Sequence, residues 1–177
     1  MSADKVEKKY LPEFVYGAID GTVTTFAVVA GAMGASLSSA VVLILGFANL
    51  FADGFSMAVS NYLSTKSHRE LHVAQKSKCE DEDKDPKKTA LATFSAFVLV
   101  GFIPLISFVL AFLFSWIEEN QFKISIGLTA LTFFLIGAAK GEVVGKHKLH
   151  SALETFFIGS AAAIIAFLVG YLLRAVA

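Results

Sequence analysis

Asn49, Asp53, Met57 and Asn61 recur at every fourth position within FANLFADGFSMAVSNYLST (residues 47–65), a run otherwise fit for lipid. Helical spacing puts two amides, a carboxylate and a thioether on one face. One segment earlier, Gly17, Asp20 or Gly21, and Thr24 share a face by the same rule. Carboxylate and amide oxygens suit divalent cations in general, whereas a thioether is a soft donor with no use for Mg²⁺ or Ca²⁺. A mixed Asp/Asn/Met set therefore fits a first-row divalent metal such as Fe²⁺ or Mn²⁺, held loosely enough to be released. The same carboxylates could exchange a proton for the metal. An ionised Asp in hydrocarbon costs at least ~2.5–3.5 kcal/mol on the insertion scale, so two of them in one hairpin ask for a reason beyond structure. The competing reading is a hydrogen-bonded interhelical seam with Met57 as packing. Met33 and Met1 carry no such argument and read as packing and start residue.

The elements that must position these residues follow from composition. Of 177 residues 55% are hydrophobic and the mean hydropathy is +0.66, whereas a soluble domain sits near roughly 45–50%. Charges crowd into residues 1–13, 66–88, 118–123 and 140–154, leaving long neutral tracts between them. This is the charge map of an all-α, polytopic membrane protein. Five transmembrane helices are predicted, over 14–35, 38–65, 89–116, 122–146 and 151–174. The chain then divides into a polar segment 1–13, a hairpin 14–65 carrying the ion path, a short loop 66–88 and a three-helix part 89–177. GAMGASLSSA makes a short first turn, Pro86 fits just ahead of the third helix, and Pro104 should kink that helix. No cleavable signal peptide is visible in MSADKVEKKYLPE.

Orientation follows from the basic residues. Lys5, Lys8 and Lys9, then Lys66, Arg69, Lys76, Lys78, Lys84, Lys87 and Lys88, then Lys140, Lys146 and Lys148 all fall on one side of a five-span chain. Lys123 and Arg174 fall on the other, so the N-terminus is expected in the cytoplasm and the C-terminus outside. If the first hairpin turns near residue 38, Asp20 lies level with Met57 and Thr24 with Asp53. The stripes can then face each other, or copies of themselves across a dimer.

At this point the residues resemble a known family. YGAIDGTVTTFAVVAGAMGA followed by ILGFANLFADGFSMAVSNYLSTKS looks like the first two helices of the vacuolar iron transporters. FLIGAAKGEVVGKHKLHSALETFFIGSAAAIIAFLVGYLL resembles that family's last two. The resemblance implies five-helix homodimers that exchange cytosolic Fe²⁺ or Mn²⁺ for protons, along a path lined by the first helices of both protomers. It also implies that Asp20 and Met57 are the membrane-embedded ligands. Plant-type members carry a glutamate-bearing cytoplasmic domain between spans two and three, and SHRELHVAQKSKCEDEDKD is too short to form one. That loop does hold His68 and His72 at i, i+4, Glu70, Cys79 and the acidic run Glu80 to Asp85. It reads as a solvated charged loop, with a weak metal antenna as the alternative.

Other polar residues read more plainly. Glu142 and Glu154 are expected level at the mouth of the last two helices, Glu142 paired with Lys146 and Glu154 either in a first helical turn or relaying protons. Gly137, Gly141 and Gly145 mark a close-packing face. Glu118 and Glu119 beside Trp116 read as a solvated end of span three. HRELH is not the HExxH of a zinc protease, and Ser56 and Ser60 have no histidine at their depth, so no enzyme is expected. The single Cys79 excludes an intramolecular disulfide. The expected function is proton-coupled export of Fe²⁺ or Mn²⁺ by a homodimer, with Asp20, Met57, Asp53, Asn49 and Asn61 on the metal and Glu154 and Thr24 aiding proton coupling or gating. No resident cofactor and no nucleic acid are expected. The alternative is a membrane scaffold whose polar seam only assembles helices. A plasma membrane is expected for a prokaryotic protein, an organellar one for a eukaryotic.

Overall fold

In lipid each backbone N–H and C=O must be paired within the chain, so apolar segments of this length are driven into helices whatever their β-branched content. The computed structural model describes residues 3–75 and 84–176, with side chains from Lys9 onward. Met1, Lys76, Lys78, Cys79, the Glu80–Asp83 part of the acidic run, and the side chains of Lys5 and Lys8 lie outside the described residues. The elements are α1 (Ala3–Gly34), α2 (Ser39–Gln75), α3 (Pro86–Gly101), a 3₁₀ turn (Ile103–Leu105), α4 (Ile106–Leu110), α5 (Ser115–Val144) and α6 (Lys148–Leu173). Among the described residues all regular structure is helical. Five stretches are long and apolar enough to cross a membrane, with α3, the 3₁₀ turn and α4 together forming one of them.

Several predicted boundaries move. α2 does not stop at residue 65 but runs on to Gln75, so the first half of the predicted polar loop is helix. Thirty-seven residues make about 55 Å of helix, against a hydrocarbon core of about 30 Å. The third span ends at Leu110 rather than 116, and Trp116, Glu118 and Glu119 belong to the first turn or so of α5. Pro104 does more than kink that span: helix gives way to a 3₁₀ turn around it. Its carbonyl accepts a hydrogen bond from Ser125 Oγ at 2.7 Å, a partner from α5 for a group the break frees. Pro86 occupies the first position of α3, behind an Asp85 cap that accepts from the Lys87 N–H.

α1 is the central helix, packed against α2, α3, α5 and α6, whereas α2 lies at an edge against α1, α3 and α4. The α1–α3 contact is made by glycine. A Cβ at Gly17 would sit 2.4 Å from the Thr93 carbonyl oxygen, and one at Gly21 2.5 Å from that of Phe97. The core of Val29, Val42, Leu50, Phe97, Leu105, Phe108 and Phe133 closes around this crossing, with Met33 packed against it. Of the α5 triplet, Gly137 and Gly141 pack against α6 within the chain, while Gly145 is the left-handed cap of α5 at φ 70°.

Candidate metal path in the α1–α2 hairpin

The chain between α1 and α2 turns over residues 35–38, with Ser36 in the left-handed region at φ 60°. That places the turn about two residues before the position assumed from sequence, and the register of the hairpin changes accordingly. Asn49 Nδ2 donates to Thr24 Oγ1 and Thr25 Oγ1, both at 3.4 Å. Thr24 is therefore level with Asn49, not with Asp53. By the same register Asp20 is level with Asp53 instead of with Met57. The correction is one helical turn. It sets two acids level where one acid and a thioether were expected.

The stripe on α2 also does not stay on one side. A step of four residues overshoots a turn by about 40°, so twelve residues rotate the stripe by about 120°. Its two ends consequently reach different neighbours. Asn49 bonds across to α1, while Asn61 Nδ2 donates to Thr93 Oγ1 of α3. Thr65 Oγ1 pairs with Thr89 Oγ1 one turn further, at 3.2 Å. Both amides thus act as interhelical ties through their nitrogens. Between them, Met57 is half-buried against the hydrophobic core, and Asp53 is exposed.

Asp20 is half-buried between these layers. Thr24 Oγ1 donates to the Asp20 backbone carbonyl at 2.8 Å, leaving the Thr24 oxygen to accept from Asn49. Gly17 and Gly21, grouped with Asp20 from spacing alone, face the α3 backbone instead. The ion pairs resolved among the described residues (Lys66–Glu70, Lys84–Glu13, Lys140–Glu154, Lys148–Glu142) involve neither Asp20 nor Asp53. Among the described residues no three of His, Cys, Asp and Glu are gathered around one point. The hairpin thus offers two carboxylates, a thioether and amide oxygens along a line, not a closed cage.

Glu154 sits apart from this line. The α5–α6 turn comes at 145–147, so Glu154 stands in the second turn of α6 and pairs with Lys140 of α5 at 3.3 Å. Glu142 pairs with Lys148 at 3.0 Å rather than with Lys146. The residues that spacing did not single out are Thr25, Thr89 and Thr93, all fully buried. The four-residue separation of Thr89 and Thr93 was a visible signal. Their partners on α2 became identifiable only with the rotation of the stripe.

The profile of the VIT family matches residues 11–84 and 71–171. This chain belongs to the VIT family. Curated relatives extend the match. A protein named vacuolar iron transporter from Toxoplasma gondii is 28% identical over 94% of this chain and 75% of its own length. One of that name from Plasmodium berghei is 26% identical over 96% and 84%. Vacuolar iron transporter 1 of Arabidopsis thaliana is 28% identical over 88% and 82%. The Toxoplasma alignment runs over 227 positions although this VIT chain has 177 residues, so that relative carries inserted sequence within the match. The two family matches overlap at residues 71–84, the end of α2 and most of its connection to α3, where such an insertion would fall. Five apolar helices and family membership together make this VIT chain a multi-pass membrane protein.

Proposed function

We propose that this VIT protein exports Fe²⁺ or Mn²⁺ from the cytosol in exchange for protons, along a path lined by α1 and α2 at the interface of a homodimer. Relatives named vacuolar iron transporters support the metal cargo. The observation that carries the path is that the Asn49–Thr24 hydrogen bond sets Asp20 and Asp53 level on adjoining spans, with neither acid in an ion pair resolved among the described residues. Two such acids without a cation are costly unless a mobile positive charge, metal or proton, visits them. Met57, one turn from Asp53 on the same helix, adds the soft donor that favours a transition metal over Mg²⁺. The orientation supported by the basic residues puts the N-terminus and the α2–α3 and α5–α6 connections in the cytosol. Glu154, bound to Lys140 of α5, is at most a residue of the cytoplasmic mouth.

The test is metal flux into proteoliposomes under a pH gradient. Wild type should move Fe²⁺ or Mn²⁺ when the gradient is imposed. Asp20→Asn should lose the flux by roughly tenfold or more, the scale of losing a metal-site partner, while remaining folded. Met57→Ala should weaken Fe²⁺ transport. Absence of flux in wild type, or equal flux in the Asp20→Asn variant, would reduce the acids to parts of a structural seam.

A further inference from the structure

The seam between α2 and α3 is grooved on its outer side, and the groove changes character along its length. One stretch, of about 380 Å³, is lined by Phe55, Val59 and Tyr62 of α2 and by Lys87, Leu91 and Phe94 of α3. The next, of about 370 Å³, is lined by Lys66, Arg69, Glu70 and Val73 of α2 and by Pro86 of α3. Positions 55, 59, 62, 66, 69 and 73 follow one another at steps of four and three, so one face of α2 walls both stretches. From Phe55 to Lys66 is about 16 Å of helix, close to half of a hydrocarbon core of about 30 Å. The apolar stretch thus has the depth of one leaflet. The cations stand where the headgroups of that leaflet begin.

Three of the four charged residues lining the groove are basic. Lys66 and Glu70 pair at 3.8 Å with side chains 53% and 67% exposed, and an exposed pair of this kind holds its lysine weakly. Arg69 and Lys87 are exposed and enter none of the ion pairs resolved among the described residues. The neighbouring Asp85 turns its carboxylate to the start of α3, where it accepts from the Lys87 N–H. Cations above an apolar trough match an amphiphile with an anionic head, and a soluble anion would leave the trough unused. The groove also points away from the acids of the path. Phe55 lies about 160° and Tyr62 about 180° around α2 from Asp53.

We propose that the α2–α3 groove binds one anionic glycerophospholipid, its phosphate held by Arg69 and Lys87 and an acyl chain lying over Phe55, Val59, Leu91 and Phe94. The site rests on the membrane-spanning helices and not on the transport reading. Beside the groove, α2 and α3 are tied by the Asn61–Thr93 and Thr65–Thr89 hydrogen bonds. A lipid seated on both helices adds a further tie, so its binding stabilises the bundle. Each cation beside an anionic headgroup strengthens binding roughly fivefold.

The full chain, purified in detergent, is titrated with phosphatidylglycerol or with phosphatidylcholine of the same acyl chains, and bound lipid is counted by native mass spectrometry. Wild type should retain one phosphatidylglycerol per chain, with a preference of roughly tenfold or more over phosphatidylcholine, and its thermal midpoint should rise with that lipid. Arg69→Gln combined with Lys87→Gln should abolish both the preference and the rise while leaving the lipid-free midpoint unchanged. Lys123→Gln combined with Arg174→Gln removes the same charge elsewhere and should keep them. Leu91→Trp fills the trough and should weaken phosphatidylglycerol binding with both cations in place. Equal binding of the two lipids by wild type, or an undiminished preference in the Arg69/Lys87 variant, overturns the site. Unchanged binding in Leu91→Trp, or displacement of the lipid by millimolar inorganic phosphate, overturns the groove as its seat. Glu80–Asp83, outside the described residues, are the competing anions of the chain itself. A preference that emerges only when these four are changed to amides would assign Arg69 and Lys87 to them and remove the lipid.

Discussion

Asn49 and Asn61 have the same side chain on the same helix, yet they tie α2 to different neighbours, Asn49 to Thr24 and Thr25 and Asn61 to Thr93. Such interhelical hydrogen bonds in membranes are worth about 0.6 kcal/mol on average and rarely more than about 1.7, because the separated helices find other partners. Asn61 and Thr93 should accordingly show a coupling of that size in a double-mutant cycle of Asn61→Ala and Thr93→Val, read by unfolding in detergent. Flux should survive both substitutions. Asp53 should behave differently. It is exposed on the isolated chain, so Asp53→Asn should cost no stability and should still impair transport. A variant that unfolds, or one that transports like wild type, would show that Asp53 serves assembly alone. That polar side chains recur along α2 was legible from residue types and four-residue spacing. The division of labour within it was not, because it depends on how far the stripe rotates and on which helix lies to each side.

At the scale of elements, the glycines of α1 set how closely α3 packs against the helix that carries Asp20. Gly21 lets α3 approach until a Cβ there would meet Phe97 O at 2.5 Å and Phe97 Cα at 2.9 Å, both backbone atoms that cannot swing aside. Gly21→Val should therefore destabilise the bundle by about 1–3 kcal/mol through overpacking, seen as a lower midpoint of thermal unfolding and a loss of flux together. Gly127 on α5 has nothing within 4 Å of a built Cβ, and Gly127→Ala should leave the midpoint level or raise it. Equal effects at the two positions would deny the α1–α3 crossing its role. Hydropathy located all five spans, since length and apolar composition are sufficient when the solvent is lipid. It misplaced ends where polarity and helix part company. Residues 66–75 are charged yet remain helical as an extension of α2, and 115–121 start α5 although Glu118 and Glu119 suggested the close of the previous span. A two-residue error in the turn, invisible to hydropathy, was enough to shift the hairpin by one helical turn.

At the scale of the whole molecule, the distribution of partners around α2 is uneven. α1 has neighbours on all sides, whereas the outward face of α2 carries Ile44, Leu45, Phe51, Phe55, Val59 and Leu63, all exposed, with Asp53, also exposed, at its edge. The apolar residues alone would be satisfied by lipid. The carboxylate near the middle of the span is not, given the cost of a charge in hydrocarbon. In the proposed homodimer a second copy of the same face would satisfy it: a two-fold axis beside α2 would remove Asp53 from lipid and set four acids, two from each protomer, around a shared line. Residues close to such an axis meet their own copies, which gives a direct test. Ser56 is exposed one turn from Asp53. In a Cys79→Ser background, Ser56→Cys should form a disulfide-linked dimer in membranes on mild oxidation, whereas Ile164→Cys, exposed on α6, should stay monomeric. Addition of Fe²⁺ should slow the cross-link if the metal lies between the two copies of α2. Equal cross-linking at both positions, or none at Ser56→Cys together with monomers by mass in native membranes, would place the acids in a path through a single protomer.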